Sequence, residues 1–435
     1  MTNRHPSALS PETAPPHRIR IHTAGCRVNF HDSSTLRHAL HQKGFAIVDE
    51  DESADLIILN TCTVTHAADR DARKLVRRVQ RQCPDAKIVL TGCYAEIGGE
   101  SLRESLGVHW VAGLQDKAHL PHLIHQWFGP QPEPTERAAP DSRSRFFYKV
   151  QEGCDVRCAF CIIPDARGPA RSIPPHTVLG DLDAACRRGH REIILSGIHL
   201  GAYGRDLPER PSLAALIERI LEETPVERLR LGSIEPWGVR PDLIRLFREE
   251  PRLLPSLPLP LQSGCEATLR RMRRPMSAHA YRRLVDRLLE ACPTMTLWVD
   301  VMAGFPGETE AEFEESFRFI EALPFTALHV FPWSRREGTP AATFPDQVPH
   351  DVKKRRVQTL LELGRERFRR TLTARIGSSD QVLVENNRRG HTRDNLPVVL
   401  NVPERHGFRG EIVDVHLDGL VADGDRLVGS IRMEV

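Results

Sequence analysis

The chain has 435 residues, 40% of them hydrophobic and 27% charged, with a formal net charge of +2 at pH 7. That length allows about three domains, and the near-balance of charge excludes a global field of the kind that marks a whole-surface nucleic-acid binder. No run of about eighteen uninterrupted apolar residues occurs, so no membrane partner or span is expected, and ten cysteines are too sparse for a disulfide scaffold.

Residues 1–16 are rich in Pro, Ser and Thr and read as a disordered leader. They contain no apolar core and no small-residue cleavage site, so no signal peptide is expected and the location is read as cytoplasmic, with reduced thiols. From Arg18 one phrase repeats: Arg18-Ile-Arg-Ile-His-Thr-Ala-Gly-Cys26, Asp55-Leu-Ile-Ile-Leu-Asn-Thr-Cys62 and Lys87-Ile-Val-Leu-Thr-Gly-Cys93. Each is a short strand ending in cysteine, and helical segments follow at Ser34–His41, Asp69–Gln82 and Glu100–Leu106. Alternating strands and helices imply a parallel sheet with right-handed crossovers, a Rossmann- or flavodoxin-like α/β domain over residues 17–128. Ligands of such sheets bind outside the carboxyl ends of the strands. Cys26, Cys62 and Cys93 all stand at that end and are expected to converge there. Any one of them alone is at home as a buried structural thiol. Three in the same strand-terminal place point to a three-thiolate iron–sulfur cluster with one open iron.

A Pro-rich polar linker over 129–144 leads to a middle domain over 145–372. Its strand candidates are Phe146–Val150, Glu192–Ser196, Arg228–Ile234, Leu257–Leu261, Thr296–Met302 and Ala327–Phe331, with helical stretches such as 177–188, 213–223, 278–291 and 309–322 between them. Six β/α units make a partial TIM-like barrel, (β/α)6, whose chemistry belongs at the carboxyl ends of its strands. There, after the first strand, stand Cys154, Cys158 and Cys161 at C-x3-C-x2-C spacing. Three thiolates leave one iron of a [4Fe–4S] cube open to an outside ligand. The alternative is a zinc site with a fourth ligand from elsewhere, although zinc usually takes paired knuckles. Gly197, Glu235, Gln262, Ser263 and Asp300 end or follow later strands. A glycine there admits close backbone approach, and a carboxylate accepts from ribose hydroxyls or an ammonium; each is equally at home as a turn or cap residue.

The cysteine loop resembles that of the radical S-adenosylmethionine (SAM) enzymes, in which the open iron chelates SAM and an electron from the cluster splits it to a 5′-deoxyadenosyl radical. Gly25-Cys26-Arg27-Val28-Asn29, Asn60-Thr-Cys62-Thr-Val-Thr65 and Thr91-Gly-Cys93-Tyr94 resemble the N-terminal domain of the methylthiotransferases. Their phrasing is most similar to the branch that modifies threonylcarbamoyladenosine in tRNA. The resemblance covers the chain from about residue 18. It implies two [4Fe–4S] clusters and SAM as cofactors, and Gly197, Glu235, Gln262, Ser263 and Asp300 as cofactor-binding candidates. It also implies the tRNA anticodon loop as substrate, an electron donor such as flavodoxin or ferredoxin, and a separate sulfur source. Alternatives within the family are isopentenyladenosine in tRNA and a ribosomal-protein aspartate. The rival of another class is a non-catalytic RNA-binding protein holding zinc. Asp165, Leu257, Leu259 and Cys265 depart from common family residues, which leaves pocket detail open.

From residue 373 onward, short β-type runs at 380–385, 396–402, 410–416 and 426–433 suit a small β-barrel that resembles the TRAM module. Its most basic stretch, Asn387-Arg388-Arg389-Gly390-His391, reads as a solvated turn, with a phosphate-gripping loop as the alternative. Two helices concentrate positive charge: Arg70, Arg73, Lys74, Arg77, Arg78 and Arg81 in one, and eight Lys and Arg residues between Lys353 and Arg370 in the other. Such faces are usually solvated; the first directly follows the Cys62 loop and is the better candidate for guiding a polyanion.

Overall fold

Strand and helix alternate from Arg18 onward in the computed structural model, which describes residues 15–133, 144–386, 388–402 and 407–432. The expected leader over 1–16 and the linker over 129–144 fall mostly outside the described residues, as does Asn387. The chain forms two compact units, the first holding the residues before 140 except Val64–His66, which group with the second.

The first unit runs β1 (18–23), α1 (27–42), β2 (46–48), β3 (56–61), α2 (66–82), β4 (87–92), α3 (93–98), α4 (101–106), β5 (110–112) and α5 (120–128). Its five strands are all parallel, in the order β2-β1-β3-β4-β5. The central β3 is buried along its whole length, which explains its unbroken apolar run. Apolar residues pack on both faces: Ile57, Leu59, Val76 and Val79 on one, Ile19, Ile58, Leu36 and Leu40 on the other. The expected parallel sheet is thus present, with two three-residue edge strands added.

The second unit opens with β6 (145–152), α6 (163–167), β7 (171–172), α7 (175–187), β8 (192–197), α8 (213–223), β9 (228–231) and α9 (241–249). It continues with β10 (256–258), α10 (266–271), α11 (278–291), β11 (296–303), α12 (310–321), β12 (327–332) and α13 (350–374). β6, β8 and β9 are parallel neighbours, as are β10, β11 and β12. A bridge from Leu229 to Leu253, and a bond from Ile234 N–H to the Pro258 carbonyl at 3.1 Å, join the two sets. Six parallel strands therefore follow one another as an open (β/α)6 barrel, with one large core inside it. All six sequence-assigned strands are found.

β13 (379–384), β14 (389–391), β15 (397–400), β16 (412–420) and β17 (427–431) close a five-stranded barrel. Here one expectation is corrected: 389–391 is a strand, not a turn. Its Gly390 lies so close to β13 that a Cβ would stand 2.2 Å from the Leu383 carbonyl oxygen. The glycine that looked like turn chemistry serves close strand approach.

This barrel seats on the amino-terminal ends of the six-stranded one, through buried charge. Glu192, at the start of β8 and fully buried, receives Arg230 at 3.0 Å, Arg145 at 3.3 Å and Arg228 at 3.8 Å. Arg145 also reaches Glu385 at 2.9 Å, and the Thr296 hydroxyl donates to the Asp394 carbonyl at 2.5 Å. Helix α13 keeps Lys354, Arg355, Arg365, Arg369 and Arg370 exposed, as the solvated reading expects, but part of its charge is tied to acidic or aromatic partners. Arg356 is buried against Glu308 (2.7 Å) and Glu310 (2.9 Å), Arg370 pairs with Glu366, and Arg367 lies over Phe325.

Candidate active site

Each strand-terminal cysteine of the first unit sits where a parallel strand gives way to a helix. β1, β3 and β4 are side by side, so the segments that follow them meet at one edge. Cys26 is the N-cap residue of α1, and Cys93 opens α3. A Cβ added at Gly25 would lie 2.6 Å from Cys62 Cβ and 3.3 Å from its Sγ. One added at Gly92, beside Cys93, would lie 2.3 Å from the Thr61 carbonyl oxygen. The three cysteine segments thus abut, Gly25 against the Cys62 side chain and Gly92 against the Thr61 backbone, and only glycine permits it. Asn29 and Asn60 stitch them together: Asn29 Nδ2 donates to the Ala24 carbonyl (2.9 Å) and the Thr61 carbonyl (3.2 Å), while Asn60 Nδ2 donates to the Asn29 carbonyl (2.8 Å). Cys26 is exposed, Cys62 half-buried and Cys93 buried, a gradient from solvent to sheet. Helix α2, beginning four residues after Cys62, exposes Arg70, Lys74, Arg77, Arg78 and Arg81, while Arg73 donates to the Tyr94 hydroxyl at 3.2 Å.

In the second unit the C-x3-C-x2-C loop leaves β6 at the carboxyl end of the open barrel. Its turn is tied by Cys154 N–H to the Gly168 carbonyl (3.1 Å) and Cys161 N–H to the Cys158 carbonyl (3.1 Å). Burial pushes the Cys154 thiol up to about 11 and the Cys161 thiol up to about 12; it raises Cys158 too, against the pull of Arg274. Thiols so raised are protonated at neutral pH, and a metal held by them would displace those protons.

Arg274 is central here and was not singled out from the sequence. Its guanidinium donates to Glu235 (2.8 Å) and the Pro260 carbonyl (2.8 Å), lies 3.9 Å from Cys158 Sγ and covers the Trp237 ring at 4.5 Å. Burial raises the Glu235 carboxyl, and Arg274 only partly offsets that. Trp237 Nε1 donates to His199 Nε2 at 3.1 Å, so the imidazole proton sits on Nδ1. Burial, with Arg205 adding to it, pulls this histidine down to about 4, so it is neutral. Gln151 braces the cysteine loop, donating to the Glu152 carbonyl (2.7 Å) and the Gly153 carbonyl (2.9 Å) while accepting from His199 N–H (2.7 Å). Gly197 leaves room for that side chain, since a Cβ there would meet Gln151 Oε1 at 3.0 Å.

The remaining sequence candidates divide. Gln262 holds a left-handed φ of 75° that non-glycine residues rarely adopt, and its buried Oε1 has no protein partner. Asp300 bonds His329 Nδ1 at 3.0 Å, and that hydrogen bond raises the imidazole's pKa. Ser263 is occupied elsewhere: its hydroxyl accepts from Cys265 N–H at 3.2 Å and meets the Ser316 hydroxyl at 3.4 Å, holding α12.

The donor set fits an iron–sulfur cube with one open iron. Cys154, Cys158 and Cys161 lie within electrostatic reach of one another and of Glu235. Among the described residues no three His, Cys, Asp or Glu side chains close on a single ion-sized point; the thiolates of a cube ligate separate irons and need not do so. His199 Nδ1 and Gln262 Oε1, both buried without a protein partner, suit a polar cofactor at this end of the barrel.

The model of the uncharacterized protein family UPF0004 matches residues 18–113, and that of the radical SAM superfamily matches residues 148–320. Threonylcarbamoyladenosine tRNA methylthiotransferase MtaB of Bacillus subtilis is 36% identical over 360 residues, covering 80% of each chain. Proteins of that name from four further bacteria are 30% to 35% identical. Ribosomal protein uS12 methylthiotransferase RimO of Desulforudis audaxviator is 35% identical over 392 residues, covering 86% of this chain and 87% of its own. Among solved structures, the radical SAM methyltransferase TsrM of Kitasatospora setae superposes with a TM-score of 0.56 over 76% of this chain and 75% of its own, at 16% identity, a likeness of fold.

Proposed function

Because the chain belongs to the methylthiotransferases of the radical SAM superfamily, we propose that it adds a methylthio group to C2 of N6-threonylcarbamoyladenosine at position 37 of tRNA. The observation that carries the reading is the pair of cysteine trios, each gathered at the carboxyl edge of its own parallel strands, in a chain similar to MtaB over four-fifths of its length. The family's cofactors are SAM and [4Fe–4S] clusters. In this reading Cys154, Cys158 and Cys161 hold one cluster, and Cys26, Cys62 and Cys93 hold the other.

The first cluster, with SAM bound, supplies a 5′-deoxyadenosyl radical, which an aromatic C–H too weakly acidic for base chemistry requires. The protein's own groups arrange the reactants. Glu235, fixed by Arg274, accepts from the cofactor's ammonium or ribose, and Gln262 and Asp300 offer further acceptors. Gly197 leaves room for the Gln151 side chain that braces the cysteine loop, and Ser263 ties the segment after β10 to α12. His199, neutral and oriented by Trp237, offers an N–H donor at Nδ1.

The division of labour follows: residues 17–128 handle sulfur, 145–372 generate the radical, and 373–435 serve as the TRAM-like accessory domain. An anticodon loop suits the enzyme because single-stranded RNA can present an unstacked base to a pocket. An electron donor of flavodoxin or ferredoxin type and a separate sulfur source complete the reaction, in the cytoplasm. No described helix is long and apolar enough to cross a membrane.

The 35% identity to a ribosomal-protein methylthiotransferase supports a second reading, with an aspartate of that protein as substrate. Nucleoside analysis of tRNA from cells lacking this protein separates the two. Loss of the methylthio group from threonylcarbamoyladenosine is expected; unchanged tRNA with an unmodified ribosomal protein would select the second.

A further inference from the structure

Beyond the cysteine loop, on the same carboxyl edge of the barrel, the segments after β8 and β9 enclose a cavity of about 370 Å³. Its floor is a contact between two glycines. A Cβ on Gly201 would stand 2.5 Å from Gly238 Cα, and one on Gly238 would stand 2.6 Å from Gly201 Cα. Three guanidinium-bearing residues, Arg205, Arg210 and Arg240, line the walls and are exposed. None of them has a carboxylate in ion-pair range among the described residues.

That is unusual in this part of the chain. Arg219 pairs with Glu223 at 2.7 Å, Arg245 with Glu218 at 2.6 Å and Arg191 with Glu227 at 2.6 Å. The single acid in the lining, Asp242, is engaged by the Ser212 hydroxyl at 3.1 Å and by Leu243 N–H at 3.0 Å. The cavity thus keeps a surplus of positive charge. The first residues of α8 and α9, both longer than two turns, also border it, which adds the partial positive charge of two helix N-termini. The wall is held in shape: Gly204 abuts Pro211, where a Cβ would lie 1.8 Å from the carbonyl oxygen, and the Tyr203 hydroxyl donates to the Ile173 carbonyl at 2.8 Å.

We propose that this cavity is a binding site for a phosphate of the RNA backbone, gripping the substrate strand beside the position where its base is modified. The proposal rests on the tRNA reading above and adds the place of contact. Guanidinium groups bind phosphate through paired N–H donors, and a cavity one loop away from Glu235 and His199 positions a strand without reading its sequence. It predicts that the site recognises phosphodiester charge and is indifferent to the base attached.

The test uses the full chain with its clusters reconstituted under anaerobic conditions, and measures affinity for tRNA bearing threonylcarbamoyladenosine across a range of salt concentrations. Replacing Arg205, Arg210 and Arg240 together by Gln is expected to weaken binding about tenfold and to lower the slope of log affinity against log salt by about 1 to 2. The matching Lys variant should keep most of the slope. A control replacing the paired Arg191, Arg219 and Arg245 by Gln should leave the slope unchanged. Cluster absorbance and thermal melting of each variant report whether it has folded, and the single change Arg210→Gln, expected to give a smaller shift in the same direction, serves if the triple variant does not. Equal slopes for the wild type and the folded variants would overturn the site, as would equal losses in the control, which would indicate a diffuse field. Binding of inorganic phosphate that depends on the three arginines, with the tRNA slope unmoved, would assign the cavity to a small anion and overturn the RNA proposal. A wild-type protein with no affinity for tRNA would instead bring down the tRNA reading itself.

Discussion

Arg274 carries more of the candidate site than any other side chain outside the cysteines. It is almost wholly buried, yet four different groups use its charge or its donors: Glu235, the Pro260 carbonyl, the Trp237 face and the Cys158 sulfur. Removing one partner of a buried ion pair leaves the other desolvated and unpaired, which costs far more than the pair contributes. Arg274→Met is therefore expected to lower unfolding free energy by about 3 kcal/mol in a urea titration, whereas Glu235→Gln with Arg274 intact should cost less, because backbone and sulfur acceptors remain. Gln262 poses the opposite case. Its left-handed backbone costs about 1 kcal/mol or more, and the side chain that incurs this cost ends in a buried oxygen without a protein partner. Gln262→Gly should raise the melting temperature while weakening SAM in an equilibrium binding measurement; unchanged SAM affinity would remove Gln262 from the cofactor site.

At the scale of elements, the ends of the open barrel divide function from support. The carboxyl ends of its strands carry the cysteine loop, while the amino ends carry Glu192 and its three arginines, on which the small barrel sits. Burial alone would push Glu192 up, but Arg230, Arg145 and Arg228 reverse that and hold it down to about 2. A carboxyl with a depressed folded-state pKa binds fewer protons when folded than when unfolded. Its stabilisation is present above the unfolded value near 4.5 and drains as pH falls toward 2. Acid unfolding should accordingly steepen across that window by roughly 3 kcal/mol. Glu192→Gln should flatten the profile and expose β13–β17 amides to hydrogen exchange at neutral pH. Much of this architecture was legible in the sequence because period and punctuation carry it: six barrel strands, the parallel sheet and the strand-end cysteines follow from local pattern. What was not legible depends on partners far along the chain. Arg274, Trp237, His199 and Gln151 are ordinary residues until β6 and the loops after three further strands meet. β14 hid behind a glycine that serves strand contact. In α13 the acidic partners of Arg356 and Arg370, namely Glu308, Glu310 and Glu366, are not visible as partners in a linear reading, even where one lies within the same helix.

For the molecule as a whole, the proposal makes the two trios chemically separable, since each is built within its own compact unit from its own strands. The wild-type protein, reconstituted without oxygen, should hold about eight irons and eight sulfides per chain, in two cubes. Chelation should remove both and return buried, protonated thiols in the C-x3-C-x2-C loop, for which proton uptake is the solution signature. Cys158→Ala should drop the iron content to about four and abolish 5′-deoxyadenosine formation from SAM. Cys62→Ala should drop it by the same amount, spare that cleavage and abolish methylthio transfer. The two variants thus make the same change in metal content but only one of them loses SAM cleavage, so a general loss of folding or of cluster loading cannot imitate the pattern. If Cys62→Ala also ended SAM cleavage in a protein still holding four irons, the first unit would have to take part in radical generation, and the separation of roles argued from the two sheets would be wrong.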